Sequence, residues 1–138
     1  MEIRLATIND AEQVKLFFSR YLSNENDALY SDEFFCPYGI MAAIKRGQML
    51  IAIEGTIIAG ALRFYRRKKT QQISLYQFAV DSNFRRRALL MTMLEQLRDT
   101  DIVVLCPVTS SFNQYYRRTG WTLLQPIKDF NQWCLKRK

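Results

Sequence analysis

The chain has 138 residues, 49% of them apolar, which suits one domain with a real core. Its 20 Lys and Arg outnumber 13 Asp and Glu for a net charge of +7, a balance that favours polyanionic partners such as a nucleotide cofactor, RNA, DNA or an acidic protein. Histidine is absent, so a histidine base, a histidine-containing triad and a histidine-ligated metal are excluded. Cys36, Cys106 and Cys134 are odd in number and widely spaced, and read as reduced, packed thiols; no metal is expected. No apolar run reaches the roughly 18 residues of a membrane span. The N-terminus shows no basic-then-apolar leader pattern, so a cytoplasmic location is expected.

In chain order, Ile3 and Leu5 mark a short strand, and residues 7–21 form a first helix. Residues 23–27 are polar and turn-like. They introduce a partly acidic loop, 28–37, that carries Tyr30, Phe34 and Phe35. A second helix follows over 38–45, stopped by Gly47. Residues 49–53 and 56–65 read as paired strands joined by Glu54-Gly55, with Gly60 marking a bulge. Residues 66–70 are a basic turn and 72–80 the next strand.

Residues 78–97 are the most informative stretch. Phe78-Ala79-Val80 leave a buried strand, Asp81-Ser82-Asn83 turn, and Arg85-Arg86-Arg87 stand where the next helix begins. Leu89, Met93 and Leu97 then repeat at i, i+4 and i+8, with Leu90 and Leu94 on the same face. A helix start gathers unpaired N–H groups and the positive end of the dipole, so it attracts phosphate, and three arginines strengthen the attraction. The segment is built to hold an anionic, phosphorylated ligand. Eight of the 20 basic residues lie between Arg63 and Arg87, against one acid, Asp81; the Arg66-to-Lys69 tetrad reads equally as a solvated turn or as a binding surface. Residues 101–106 form another buried strand, and 110–118 a short helix ended by Gly120, with Arg117 and Arg118 at its negative dipole end. Strands over 121–125 and 131–135 precede a basic tail. The order, β-α-α-β-β-β-α-β-α-β-β, gives an α/β (α+β) domain over 1–138, a mixed sheet with helices on both faces.

Val80, Phe84 and Arg85 fit the pattern V-x-P-x-Y/F-R, and residues 85–90, RRRALL, fit R/Q-x-x-G-x-G/A with Ala88 and Leu90 in place of the two small residues. Tyr115, Tyr116, Arg118, Gly120 and Trp121 fit the end of N-x-x-A-x-x-L/F-Y-x-K/R-x-G-F/W, with Thr109 and Phe112 for Asn and Ala. The opening I-R-x-A-x-x-x-D is also present, from Ile3 to Asp10. In these pieces and their order, nearly the whole chain resembles the GCN5-related N-acetyltransferases (GNAT). The resemblance implies a mostly antiparallel central sheet and acetyl-CoA as cosubstrate. It also implies transfer of an acetyl group to a primary amine on a small molecule, peptide or aminoacyl-tRNA, by direct attack.

By that resemblance, backbone groups of Phe78, Ala79 and Val80 hold the pantetheine arm, and Arg85, Arg86, Arg87, Ala88, Leu89 and Leu90 form the pyrophosphate loop. Glycine lets a backbone approach a pyrophosphate, and each added side chain obstructs it; Leu90 puts a side chain where the groove would run. Tyr116 corresponds to the tyrosine that protonates the departing thiolate, a role suited to a phenol of pKa about 10. Where relatives carry a glutamate base, four residues before Val80, this chain has Tyr76, and Gln77 beside it cannot take a proton. Asp32 or Glu33 acting through water, or an amine that arrives neutral, would fill the gap. Tyr30, Phe34 and Phe35 read as anchors of their loop before they read as pocket lining. Cys106 and Cys134 lack an activating histidine, which speaks against an acyl-cysteine. The alternative reading keeps the fold and gives the basic surface to tRNA or DNA, or to a noncatalytic module. The sequence is also compatible with an oligomer.

Overall fold

The computed structural model describes residues 1–21 and 37–138, apart from the side chains of Pro37, Tyr38, Arg86 and Arg87. The turn over 23–27, the loop aromatics Tyr30, Phe34 and Phe35, the acids Asp32 and Glu33, and Cys36 lie outside the described residues. Elements follow in the expected order: β1 (Glu2–Leu5), α1 (Ala11–Tyr21), α2 (Pro37–Lys45), β2 (Met49–Glu54), β3 (Ile57–Arg66), β4 (Ile73–Val80), α3 (Leu89–Glu95), β5 (Ile102–Pro107), α4 (Phe112–Arg118), β6 (Thr122–Leu123) and β7 (Phe130–Leu135). Among the described residues no helix is long and apolar enough to cross a membrane.

The strands form one sheet in the order β1-β2-β3-β4-β5-β7-β6. Every neighbouring pair is antiparallel except β4 with β5. Alternating apolar side chains give the sheet two buried faces. On one, Val14, Phe17 and Phe18 of α1 and Ile40 and Ile44 of α2 pack on Ile51 and Ala61. On the other, Leu89, Met93 and Leu94 of α3 and Tyr116 of α4 pack on Leu62, Ile102 and Trp133.

Two irregularities shape the middle of the sheet. The β2–β3 register moves from Ala52↔Gly60 to Ile53↔Ile58, so a bulge is present and its extra residue is Ala59, next to the Gly60 expected to mark it. A Cβ there would lie 3.0 Å from Met93 Sδ and 3.3 Å from Leu89 Cδ2, so glycine is what lets α3 settle onto β3. The β3–β4 register moves from Arg63↔Gln77 to Phe64↔Leu75, which inserts Tyr76 as an extra residue in β4.

Two predicted boundaries change. The strand expected over 121–125 is only Thr122–Leu123; Leu124 N still donates to Gln132 O at 2.8 Å, but Pro126 has no N–H to continue the ladder. The helix expected to begin at the arginines is split. Residues Ser82–Arg87 form a 3-10 turn, Ala88 adopts the left-handed conformation (φ 55, ψ 29), and α3 begins only at Leu89. The apolar stripe survives the change, with Leu89, Leu90, Met93, Leu94 and Leu97 all buried.

Candidate active site

Strands β4 and β5 pair only at Ile73↔Ile102 and Ser74↔Val103. Beyond Ser74, β4 stays with β3 as far as Gly60↔Val80, while β5 follows β7 from Ile102↔Leu135 to Pro107↔Phe130. Among the described residues, the edge of β4 over residues 75–80 is thereby left without a strand on the β5 side. Next to it lies a cleft of about 310 Å³, lined by Phe78, Ala79 and Val80 of β4, Leu90 of α3, and Phe112 and Tyr115 of α4.

The basic loop closes one end of this cleft. Asp81 starts it, accepting from Asn83 N and from the Tyr21 hydroxyl, each at 2.8 Å. These two bonds, the backbone one first, hold its carboxyl below the ordinary carboxylate range. Arg85 is exposed, donates from Nε to Val80 O at 3.2 Å, and sits 5.7 Å from the Tyr21 ring centroid. Ala88 and Leu89 border the cleft as well. Ala88 takes the left-handed backbone at a position where glycine would take it freely, and a Cβ there costs about 1–2 kcal/mol. The first amides of α3 have no acceptor within the helix. Leu90 is 9% exposed and packs in the core with Met93 and Leu94; the cleft keeps its volume with that side chain in place.

The two tyrosines of α4 separate. Tyr116 is 1% exposed, its ring 5.0 Å from that of Trp121 and 6.0 Å from that of Trp133, and it is absent from the cleft lining. Tyr115, one position earlier, lines the cleft. Burial pushes both phenols upward, Tyr116 the further, so both carry their proton at neutral pH. The helix is fixed in rotation by Asn113. Its Nδ2 donates to Pro107 O (2.8 Å) and Ser110 O (2.9 Å), and its Oδ1 accepts from Trp133 Nε1 (2.9 Å) and Asn131 Nδ2 (3.0 Å). Cys106 and Cys134 are both buried, and burial raises the pKa of Cys134.

Sequence reasoning missed one polar pair. Gln77 is 1% exposed, and neither its Nε2 nor its Oε1 has a hydrogen-bond partner. Its cross-strand neighbour is Arg63, whose Nη1 is likewise sealed and unpartnered and whose Cζ lies 4.8 Å from the Tyr76 ring centroid. The available signal was an Arg and a Gln set inside apolar runs, Arg63 between Leu62 and Phe64 and Gln77 between Tyr76 and Phe78. Trp121 Nε1 is also buried without a partner.

The basic hairpin is not part of the cleft. It joins β3 to β4 at the opposite end, where Arg66 pairs with Asp99 at 3.2 Å and Arg67 Nε donates to Ser74 Oγ at 2.9 Å. A larger hollow at that end, about 450 Å³, is bordered by Arg4, Arg46, Gln48 and Arg66. Two of its three guanidiniums are already paired, Arg4 with Asp10 and Arg66 with Asp99.

No protein-family model matches the sequence, and no curated protein does. Solved structures match over almost the full length. The PaiA N-acetyltransferase of Thermoplasma acidophilum, solved with coenzyme A, superposes with a TM-score of 0.81 at 14% identity, covering 98% of each chain. A GNAT-family acetyltransferase of Listeria monocytogenes gives 0.79 at 17% identity, over 98% of this chain and 94% of that one. Another from Staphylococcus aureus gives 0.78 at 16%, over 99% of each. The chain has the GNAT fold. Residues 78–80, Arg85 and residues 88–90, singled out in the sequence, line the cleft where β4 parts from β5.

Proposed function

We propose that this protein is an acetyl-CoA-dependent N-acetyltransferase acting on a primary amine. The observation that carries the reading is the cleft itself. An unpaired strand edge at residues 78–80 runs toward a left-handed turn at Ala88, with Arg85 at its border and α3 starting behind it. Edge amides and carbonyls suit an amide-bearing pantetheine arm, and the turn with its arginines suits a pyrophosphate. Arg86 and Arg87 belong to the same cradle in this reading.

The amine attacks the thioester carbonyl carbon, the new C–N bond forms, and the C–S bond breaks with its electron pair leaving on sulfur. Tyr116 is the proposed donor of the proton that the thiolate takes up, with Tyr115 on the cleft wall in front of it. Among the described residues neither carboxylate nor histidine lines the cleft; in this reading the amine arrives neutral and gives its proton to water after attack. Replacing Tyr116 by Phe is expected to lower turnover while leaving acetyl-CoA affinity nearly intact. A loss confined to Tyr115→Phe would transfer the role to the phenol on the wall.

Thermal unfolding with and without acetyl-CoA tests the reading. A ligand at 100 times its dissociation constant stabilises by about 2.7 kcal/mol, and release of free thiol on addition of an amine would report transfer. Absence of any shift, together with salt-sensitive binding of RNA or DNA, would move the function to the basic end of the molecule.

A further inference from the structure

We propose that Arg63 and Gln77 form a carboxylate-binding subsite, so that the acceptor is an amine that also bears a carboxylate. The word acceptor rests on the transferase reading above; the carboxylate site stands without it. Three polar atoms on two facing residues, Arg63 Nη1 and both ends of the Gln77 amide, are closed off from water and make no hydrogen bond. Each such atom destabilises the fold, and native folds leave few of them without a reason. Nor is the guanidinium neutralised: among the described residues no ion pair reaches Arg63, whereas Arg4, Arg66 and Arg98 each have an acid. Its position is held by Tyr76, the inserted residue of β4, whose ring it stacks on.

The chemistry of the vacant donors selects the ligand. A guanidinium N–H and a carboxamide N–H side by side match the two oxygens of a carboxylate. One guanidinium balances one negative charge, which fits a carboxylate better than a phosphate dianion. The amide Oε1 remains to accept from an ammonium or hydroxyl of the same molecule. The placement fits the cleft too. Residues 77 and 79 point to the same face of β4, Ala79 lines the cleft, and two residues of strand separate them by about 7 Å. Arg63 as a whole is only half-buried, so a carboxylate can approach its guanidinium from the surface and draw Nη1 toward it while the amine of the same molecule lies in the cleft.

The test is calorimetric titration of the full chain with 4-aminobutyrate, 6-aminohexanoate and lysine, each against its carboxamide, with and without saturating coenzyme A. At least one acid is expected to bind tenfold or more tightly than its amide. Arg63→Met should abolish that preference and Gln77→Leu should reduce it. Gln77→Leu carries a second readout, because it removes an unpartnered buried amide: the unliganded variant should melt no lower than the parent, whereas a glutamine with a purely structural role would melt lower. If Arg63→Met does not fold, Gln77→Leu decides alone. The proposal is overturned if no acid outbinds its amide, if the preference survives either substitution, or if Gln77→Leu melts lower, which would point to an ordered water as the missing partner. Acid preference without acetyl-CoA turnover would keep the subsite and remove the transferase. Turnover without acid preference would do the reverse.

Discussion

Two buried carboxamides in this molecule have opposite surroundings. Asn113, 8% exposed, spends both ends of its amide on the protein: Pro107 O and Ser110 O accept from it, and Trp133 and Asn131 donate to it. It locks α4 to β5 and β7. Gln77, 1% exposed, is buried deeper and bonds to nothing. Burial of a polar group is stabilising only when its hydrogen bonds are replaced, so the first amide is architecture and the second is held against the stability of the fold. The contrast marks the bulged end of β4, beside the cleft, as the region arranged for something other than folding.

The sharpest way to break this contrast is to remove the satisfied amide. Asn113→Ala would leave Trp133 Nε1 without a partner, while Pro107 O and Ser110 O keep the backbone donors Ser110 N and Asn113 N. A loss of about 2–3 kcal/mol in denaturant unfolding is expected, against no loss for Gln77→Leu; equal losses would erase the distinction. A smaller effect is expected at the cradle. Ala88→Gly relieves the left-handed strain at φ 55, so it should raise stability by about 0.5–1 kcal/mol despite the added freedom of the unfolded chain, and tighten acetyl-CoA. A fall in stability would mean that the turn is held differently.

The smallest effect concerns a polar cluster remote from the site. Arg4 pairs with Asp10 at 2.8 Å, and Asp10 Oδ2 also accepts from Thr7 N at 2.7 Å. These bonds, that from Arg4 foremost, lower the Asp10 pKa from 3.8 to about 2. A folded-state pKa below the unfolded one gives stability that is present above pH ~4 and lost as pH falls through about 2. Asp10→Asn should therefore lower stability by only about 0.5 kcal/mol at neutral pH, the pair being partly exposed, and flatten the profile between about pH 4 and 2. An unchanged acid limb would remove Asp10 from the account.

Much of the fold could be read from the sequence because each element carries its own period: alternation in 49–65 and 72–80, the i, i+4 stripe from Leu89 to Leu97, and the stop signals at Gly47 and Gly120. The position of the cleft was legible as well, since Val80, Phe84 and Arg85 stand in register with a strand exit. What escaped was non-local or against propensity. Propensity does not announce that Ala88 takes a left-handed backbone, because the strain is met by tertiary packing; the one signal was its place at the glycine of the R/Q-x-x-G-x-G/A pattern. Which tyrosine of the Tyr115-Tyr116 pair faces the cleft depends on the rotation of α4, set by Asn113 through residues 18 and 20 positions later. Gln77 meets Arg63 only once the hairpin register and its extra residue are known.

The central claim is that the space between β4 and β5 receives coenzyme A through the backbone of two short segments. Titration of the isotopically labelled chain with coenzyme A tests it directly, read at the backbone amides. Perturbations concentrated at residues 78–80 and 87–90 are the predicted result. A spectrum unmoved there, or one that changes only at the 66–70 hairpin, would contradict it.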